Sequence, residues 1–184
     1  MTSFEYVSVL LSIVIAIALA HILSAIARMV EHGVVKFSFP LAQWIGFCLF
    51  LCVDHWFQVW RLHGQSDWSL PFVLQLLGQA CLIYLASYLV VPSSSDNQAL
   101  DMTKFFDASR RKFMGVILLL AMTSEILNLS LPGFGSLHVG LLVLAWIVLL
   151  SIGMISNSSK VQHVLAGINV LFTVYYSAEF IPKL

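Results

Sequence analysis

The sequence predicts an all-α, polytopic integral membrane bundle of about six transmembrane helices with both termini outside, and three observations predict it. Six apolar stretches, each close to the length of a bilayer crossing, fill nearly the whole chain. Only 10% of the residues are charged and 60% are hydrophobic, with a mean hydropathy of +0.94, against about 25% charged in a soluble domain. The breaks between stretches carry turn residues, namely Gly33 and Pro40, Gly64, Pro132-Gly133 and the run Ser156-Asn157-Ser158-Ser159. A hydrocarbon core about 30 Å thick takes roughly 20 helical residues to cross. Within it every backbone N–H and C=O must be satisfied inside the segment, so helices are the default.

The first span, residues 4–28, opens on Glu5 with no Lys or Arg and is too long for the apolar core of a signal peptide. It therefore reads as a permanent helix, although Ala18-Leu19-Ala20 mimics a cleavage site. Along it Ser8, Ser12, Ala16, Ala20 and Ser24 recur every fourth residue, a ridge on which another helix can pack closely. That helix is either another span of the chain, for which five neighbours are available, or the first helix of a second copy. The second span, 41–60, ends in a polar and tryptophan-rich stretch, and the third covers 69–91. The third connection begins Pro92-Ser93-Ser94-Ser95-Asp96 and continues with Met102, Phe105 and Phe106 among charged residues, a pattern expected of a short amphipathic interfacial segment over about 97–112. It feeds a fourth span over 113–131. The fifth, 137–155, is interrupted only by Trp146 and Ser151 and is expected to be the most lipid-exposed. The sixth covers 162–181. Residues 1–184 form one transmembrane domain, since no soluble domain fits in the remainder.

Basic residues orient the bundle. With six spans both termini share a side, and that side, with the second and fourth connections, holds only Arg61 and Lys183. The opposite side holds Arg28, Lys36, Lys104, Arg110, Arg111, Lys112 and Lys160. By the positive-inside rule the odd-numbered connections are cytoplasmic. The net charge of +0 conceals this polarity and argues against nucleic-acid binding. Arg110-Arg111-Lys112 instead reads as a headgroup anchor for the fourth helix. Cys48, Cys52 and Cys81 all lie within spans, so no loop disulfide framework reports the redox compartment.

Orientation turns the scattered polar residues into a map. Asp54 and His55 lie about 20 Å along the second span at 1.5 Å per residue, in the outer half, and Glu125 lies at a similar depth in the fourth. Gln75, Gln79, Tyr6, Tyr175, Tyr176 and Glu179 fall toward the same side. Asp54, Gln58 and Arg61 share one stripe at i, i+4 and i+7; Asn169, Thr173 and Tyr176 share another, which Glu179 extends; Thr123, Ser124, Glu125 and Asn128 make the one polar patch of the fourth helix. A carboxylate in hydrocarbon costs at least about 2.5 kcal/mol, so Asp54 and Glu125 are expected to face protein or water. These groups together predict an outward-facing, acidic pocket that binds or passes a proton, small cation or small polar solute. Asp54 and Glu125 would carry charge in it, with His55 as a relay. Equally, buried acids and amides hold helices together without moving anything, which suits an accessory, sensor or assembly subunit of a larger membrane complex. Glu5, Glu179, His63 and His138, near span ends, also read as interface residues.

A third constellation, Cys48, Cys52 and His55, lies at i, i+4 and i+7, where thiolates and imidazole can hold Cu(I) or Zn(II). No CxxC pair accompanies it, and one helix rarely supplies three ligands to one ion. No other cofactor is expected. The sequence has no Walker loop, GxGxxG, GxSxG or HExxH, and no enzymatic activity is predicted.

The run Phe4-Glu5-Tyr6-Val7-Ser8-Val9, continuing through Ser12-Ile13 to His21 and Arg28, resembles the first helix of uncharacterised bacterial multi-pass inner-membrane proteins. The likeness covers mainly that helix and the tryptophan-rich end of the second. It implies a bacterial inner membrane and no particular activity, cofactor or partner.

Overall fold

The apolar periodicity resolves into six helices and one minimal strand pair in a computed structural model of the chain. The structure describes residues 3–32, 34–65, 67–92, 100–130 and 137–180, without the side chains of 32, 34, 35, 100, 128–130, 137–139, 179 and 180. The order is α1 (Ser3–His32), β1 (Val34–Lys36), α2 (Phe39–Trp60), α3 (Leu70–Val90), β2 (Leu100–Asp101), α4 (Met102–Ser130), α5 (Leu137–Ile155) and α6 (Ser159–Phe180). The two strands pair in parallel, Val34 opposite Leu100 and Lys36 opposite Asp101.

Helix α1 buries Val7, Leu11, Ile15, Ala18, Ile22 and Ala25, a stripe at three- and four-residue spacing, against α3 and α2. Its small-residue ridge points elsewhere. Ser12, Ala16, Ala20 and Ser24 are exposed and Ser8 is half-buried, so the ridge does not pack on another span of this chain. The bulkier Leu11, Ile15 and Ile22 occupy the inward stripe, where they make more van der Waals contact than Ser or Ala would.

Helices α2 and α3 each carry a proline in the first turn, where its missing N–H breaks no hydrogen bond. The other helices form an arc in the order α1, α3, α4, α5, α6, and α2 fills its inside, packing on α1, α3, α4 and α6. It reaches α5 through Phe47, whose ring centroid is 5.4 Å from that of Trp146. Trp44 meets Phe113 of α4 edge-on at 5.5 Å, and Trp146 stacks on Phe172 of α6 at 5.5 Å and 8°. These rings lock α2, α4, α5 and α6 together. A second apolar cluster, built on Leu11, Cys52, Leu76, Ile83 and Leu120, joins α1 to α4 nearer the tryptophan-rich end.

Two expectations change. Residues from Met102 onward are not a separate interfacial helix; they are the first turns of the 29-residue α4, which runs unbroken to Ser130. Asp101 starts it by accepting hydrogen bonds from the Thr103 and Lys104 N–H groups at 3.0 and 3.1 Å. Met102, Phe106, Phe113 and Met114 then continue one buried stripe across the expected break. The basic cluster divides as well: Arg111 and Lys112 are exposed, whereas Arg110 is buried and donates to Asn157 Oδ1 at 2.7 Å. Secondly, α5 is apolar and exposed along Leu141, Leu144, Val148 and Ile152, yet Trp146 is a buried centre of the bundle. Gly153 lets α5 approach closely, since a Cβ there would meet Met114 Sδ at 2.9 Å and Leu165 Cδ1 at 3.0 Å.

By length and composition, Ser3–Glu31 and Leu70–Val90 are apolar enough to cross a membrane, and Gly140–Ile155 is a shorter apolar helix. The reason the remaining helices read less clearly is local: Asp54-His55 interrupts α2, and α4 opens with Lys104, Asp107 and three consecutive basic residues.

Candidate functional site

The stripe on α2 is realised. Asp54, 7% exposed, accepts a hydrogen bond from Gln58 Nε2 at 2.6 Å, one turn further on. Arg61 and the Tyr176 hydroxyl of α6 lie within electrostatic reach of that carboxylate. Asp54 therefore faces α6 near the tryptophan-rich end, and an acid, an amide, a guanidinium and a phenol share one corner of the fold.

Glu125 stands at a comparable level but turns to a different neighbour. Starting from the Trp44–Phe113 contact, ten residues along the two parallel helices reach Asp54 on α2 and Thr123 on α4. The Glu125 carboxylate leans on α5, with Oε1 3.2 Å from the point where a Cβ of Gly140 would stand and Oε2 buried without a hydrogen-bond partner. Among the described residues no hydrogen bond or ion pair joins it to Asp54. Gln75 ties α3 to α4 by donating to the Thr123 carbonyl at 3.3 Å. Gln79, 2% exposed, sits in the core with its Nε2 unpaired.

On α6, Asn169 Oδ1 accepts from the Trp146 indole N–H at 3.0 Å, and the Thr173 hydroxyl donates back to the Asn169 carbonyl at 2.8 Å. Tyr176 stacks on Phe172 at 6.2 Å. The side chains of Asn128 and Glu179, also expected at the site, lie outside the described residues. Among the described residues Asp54 thus stands at an α2–α6 corner, Glu125 at an α4–α5 contact and Gln75 at an α3–α4 tie.

The candidate metal ligands do not converge. Cys48 and Cys52 are buried in the core, Cys52 in hydrogen-bond contact with Ser87 of α3, while His55 faces α1. Among the described residues no group of three or more His, Cys, Asp or Glu is placed to hold a metal ion. The three residues share one face but spread over about 10.5 Å of helix axis at 1.5 Å per residue, too far for a single ion unless a second element completes the set, and among the described residues none does.

The site that residue-by-residue reading missed is a groove between α1 and α2. It encloses about 130 Å³, with Ser8, Ser12 and Ile15 on one wall, Trp56 and Trp60 on the other and His55 at its base. His55 is 3% exposed and its Nε2 is buried with no hydrogen-bond partner. Trp56 and Trp60 stack at 6.1 Å and 16° along the rim, and Phe4 meets Trp60 edge-on at 6.4 Å. The available signal was antiparallel pairing: α1 and α2 are consecutive, which sets Ser8 and Ser12 opposite Trp60 and Trp56.

Comparison with protein families, curated proteins and solved structures gives no match.

Proposed function

We infer that this chain is an integral membrane protein of the bacterial inner membrane. In this reading all six helices cross the bilayer, both termini are outside, and the protein works as a non-transporting subunit that binds its partner or ligand through its lateral face. One observation carries the reading: the inside of the helical arc is filled by a helix. The aromatic side chains of α2 interlock with α4 and α5, while a cavity of about 130 Å³ lies between it and α1. A conduit needs a polar path along the bundle, and here that path is occupied by Trp44, Phe47, Cys48 and Cys52. The two membrane-competent helices α1 and α3, the segregation of basic residues to one end and the collection of Trp56, Trp60 and Trp68 at the other support the membrane placement.

Proton and monovalent-cation flux into liposomes containing the purified full chain tests it. The expected result is flux no greater than in empty liposomes, for wild type, Asp54→Asn and Glu125→Gln alike. Wild-type flux that disappears in Asp54→Asn, with the helical spectrum retained, overturns the binding reading. It would establish the second reading, proton or cation handling at the corner where Asp54, Gln58, Arg61 and Tyr176 meet. That alternative is favoured by one feature, a nearly enclosed carboxylate held in place by an amide. Copurification from native membranes identifies the partner the first reading requires.

A further inference from the structure

The basic end of the bundle holds a buried positive charge without an internal counterion. Arg110 is 3% exposed, its Nε is buried with no hydrogen-bond partner, and its Nη2 donates to Asn157 Oδ1 at 2.7 Å, an amide oxygen rather than a carboxylate. Asp107, one turn earlier on α4, is exposed, and among the described residues no ion pair joins an acid to Arg110. A guanidinium does not lose its proton in a protein, so burial cannot neutralise it. Buried charges are ordinarily paired, because a lone one costs several kcal/mol.

The bond to Asn157 holds this guanidinium under the turn that opens α6, where Asn157, Ser158, Ser159 and Lys160 are all exposed. The Gln162 N–H donates to the Ser158 carbonyl at 3.1 Å, and the N–H groups of Ser159, Lys160 and Val161 before it have no acceptor within the helix. The first turn contains no acid, and Ser158 and Ser159 add hydroxyl donors. A helix N-terminus, a lysine and a guanidinium gathered at one turn favour an oxyanion with several acceptor oxygens, which a phosphate group supplies. Level and surroundings suit a lipid phosphate. Arg110 precedes the span over 113–131 and Lys160 the span over 162–181, which puts both near the headgroups of the basic side. Ile152 and Ile155 of α5, and Val164, four residues after Lys160 on the same face of α6, are exposed apolar side chains along which acyl chains can lie.

We propose that the exposed turn at the start of α6 binds a phosphate group, with the free backbone N–H groups and Lys160 on its oxygens and the Arg110 guanidinium, fixed beneath Asn157, as the counter-charge. The phosphate stays at the surface and need not enter the core. An anionic lipid headgroup and a free phosphate share this chemistry. The proposal rests on the proposed function only for the membrane placement, which alkaline carbonate extraction of membranes tests separately.

Thermal unfolding of the full chain in detergent micelles, titrated separately with dioleoyl phosphatidylglycerol, dioleoylglycerol and inorganic phosphate, tests the idea. Phosphatidylglycerol should raise the midpoint saturably by about 3 °C or more, and dioleoylglycerol, with the same tails and no phosphate, should not. Arg110→Gln keeps an amide and loses the charge, so half-saturation should need about tenfold more phosphatidylglycerol, and Arg110→Lys should recover most of that difference. Lys160→Gln, at an exposed position that folding tolerates, should weaken binding about threefold. Saturable protection by inorganic phosphate that matches the lipid supports the site with a soluble source. Equal shifts from the two lipids, or a phosphatidylglycerol shift unchanged in Lys160→Gln or in folded Arg110→Gln, overturn the proposal. Destabilisation by Asp96→Asn equal to that by Arg110→Gln, with no dependence on phosphate, also overturns it, by giving the guanidinium a partner within the chain.

Discussion

The two ends of the bundle use their polar side chains differently. At the basic end they bond between elements: Arg110 of α4 reaches Asn157 in the α5–α6 turn, and Gln162 of α6 donates to the carbonyls of Gly153 and Ser156 at 2.9 Å each. Toward the tryptophan-rich end Gln58 bonds to Asp54, Thr173 to Asn169 and Ser177 to Thr173 along their own helices, and Gln75 crosses from α3 to the Thr123 carbonyl of α4. Bonds between elements fix helices to one another, whereas bonds along a helix leave its neighbours free to separate. The bonds between elements make the basic end an anchor of the fold, and the groove lies at the opposite end.

The ring cluster couples the two ends, so breaking it should have the largest effect. Trp146→Ala removes a buried indole that touches Phe47 and Phe172 and leaves Asn169 Oδ1 without its donor. A loss of about 3–5 kcal/mol is expected, read as a fall in the midpoint of denaturant unfolding in micelles. Trp146→Phe keeps most of the packing and should lose only about 1–3 kcal/mol, the cost of stranding a buried acceptor.

Arg110→Ala is the sharper test of the anchor. It deletes a charged hydrogen bond of about 1.5–3 kcal/mol, and the loss should appear as faster hydrogen exchange in α4 and the start of α6 with the groove unchanged. An Asp54→Asn variant should do the reverse at the other end and cost under about 1 kcal/mol, because an amide at this position still accepts from Gln58. Equal global destabilisation by both would remove the distinction between the ends.

Much of this organisation was open to reading from residues alone, and the failures have identifiable causes. The helical class followed from composition, and the Asp54–Gln58 stripe from i, i+4 spacing, since both are properties of one helix. Helix rotation was not accessible in the same way. Ser12, Ala16, Ala20 and Ser24 suggested an inward seam, and only the competing stripe of Leu11, Ile15 and Ile22 decided which face turned in. Asp54 and Glu125 were assigned similar depth and joined into one pocket, whereas Asp54 bonds to Gln58 and Glu125 leans on Gly140, because equal depth does not specify the neighbour. Arg110 looked like its two basic successors although it lies 100° from the next along the helix, enough to bury one and expose the other.

The smallest effect is expected at the start of α4, ahead of the span proposed over 113–131, and it tests whether the anchor begins at Asp101. The Lys104 backbone N–H donates to this carboxylate and, opposed by slight desolvation and assisted by the Thr103 N–H and by Lys36, holds its pKa below the ordinary value of 3.8. A depressed pKa means that the folded state binds the proton less well than the unfolded one. Its contribution is accordingly complete above the unfolded value and disappears as pH falls through the folded one. Amide exchange at Thr103 and Lys104 should therefore show protection at pH 6 that declines in acid, after correction for the intrinsic exchange rate. Asp101→Asn should flatten that pH dependence while still capping the helix, since Asn is as good an N-cap. If protection at α4 declined identically in the variant, the cap would not be the origin of the anchor, and the Arg110–Asn157 bond would have to hold the basic end alone.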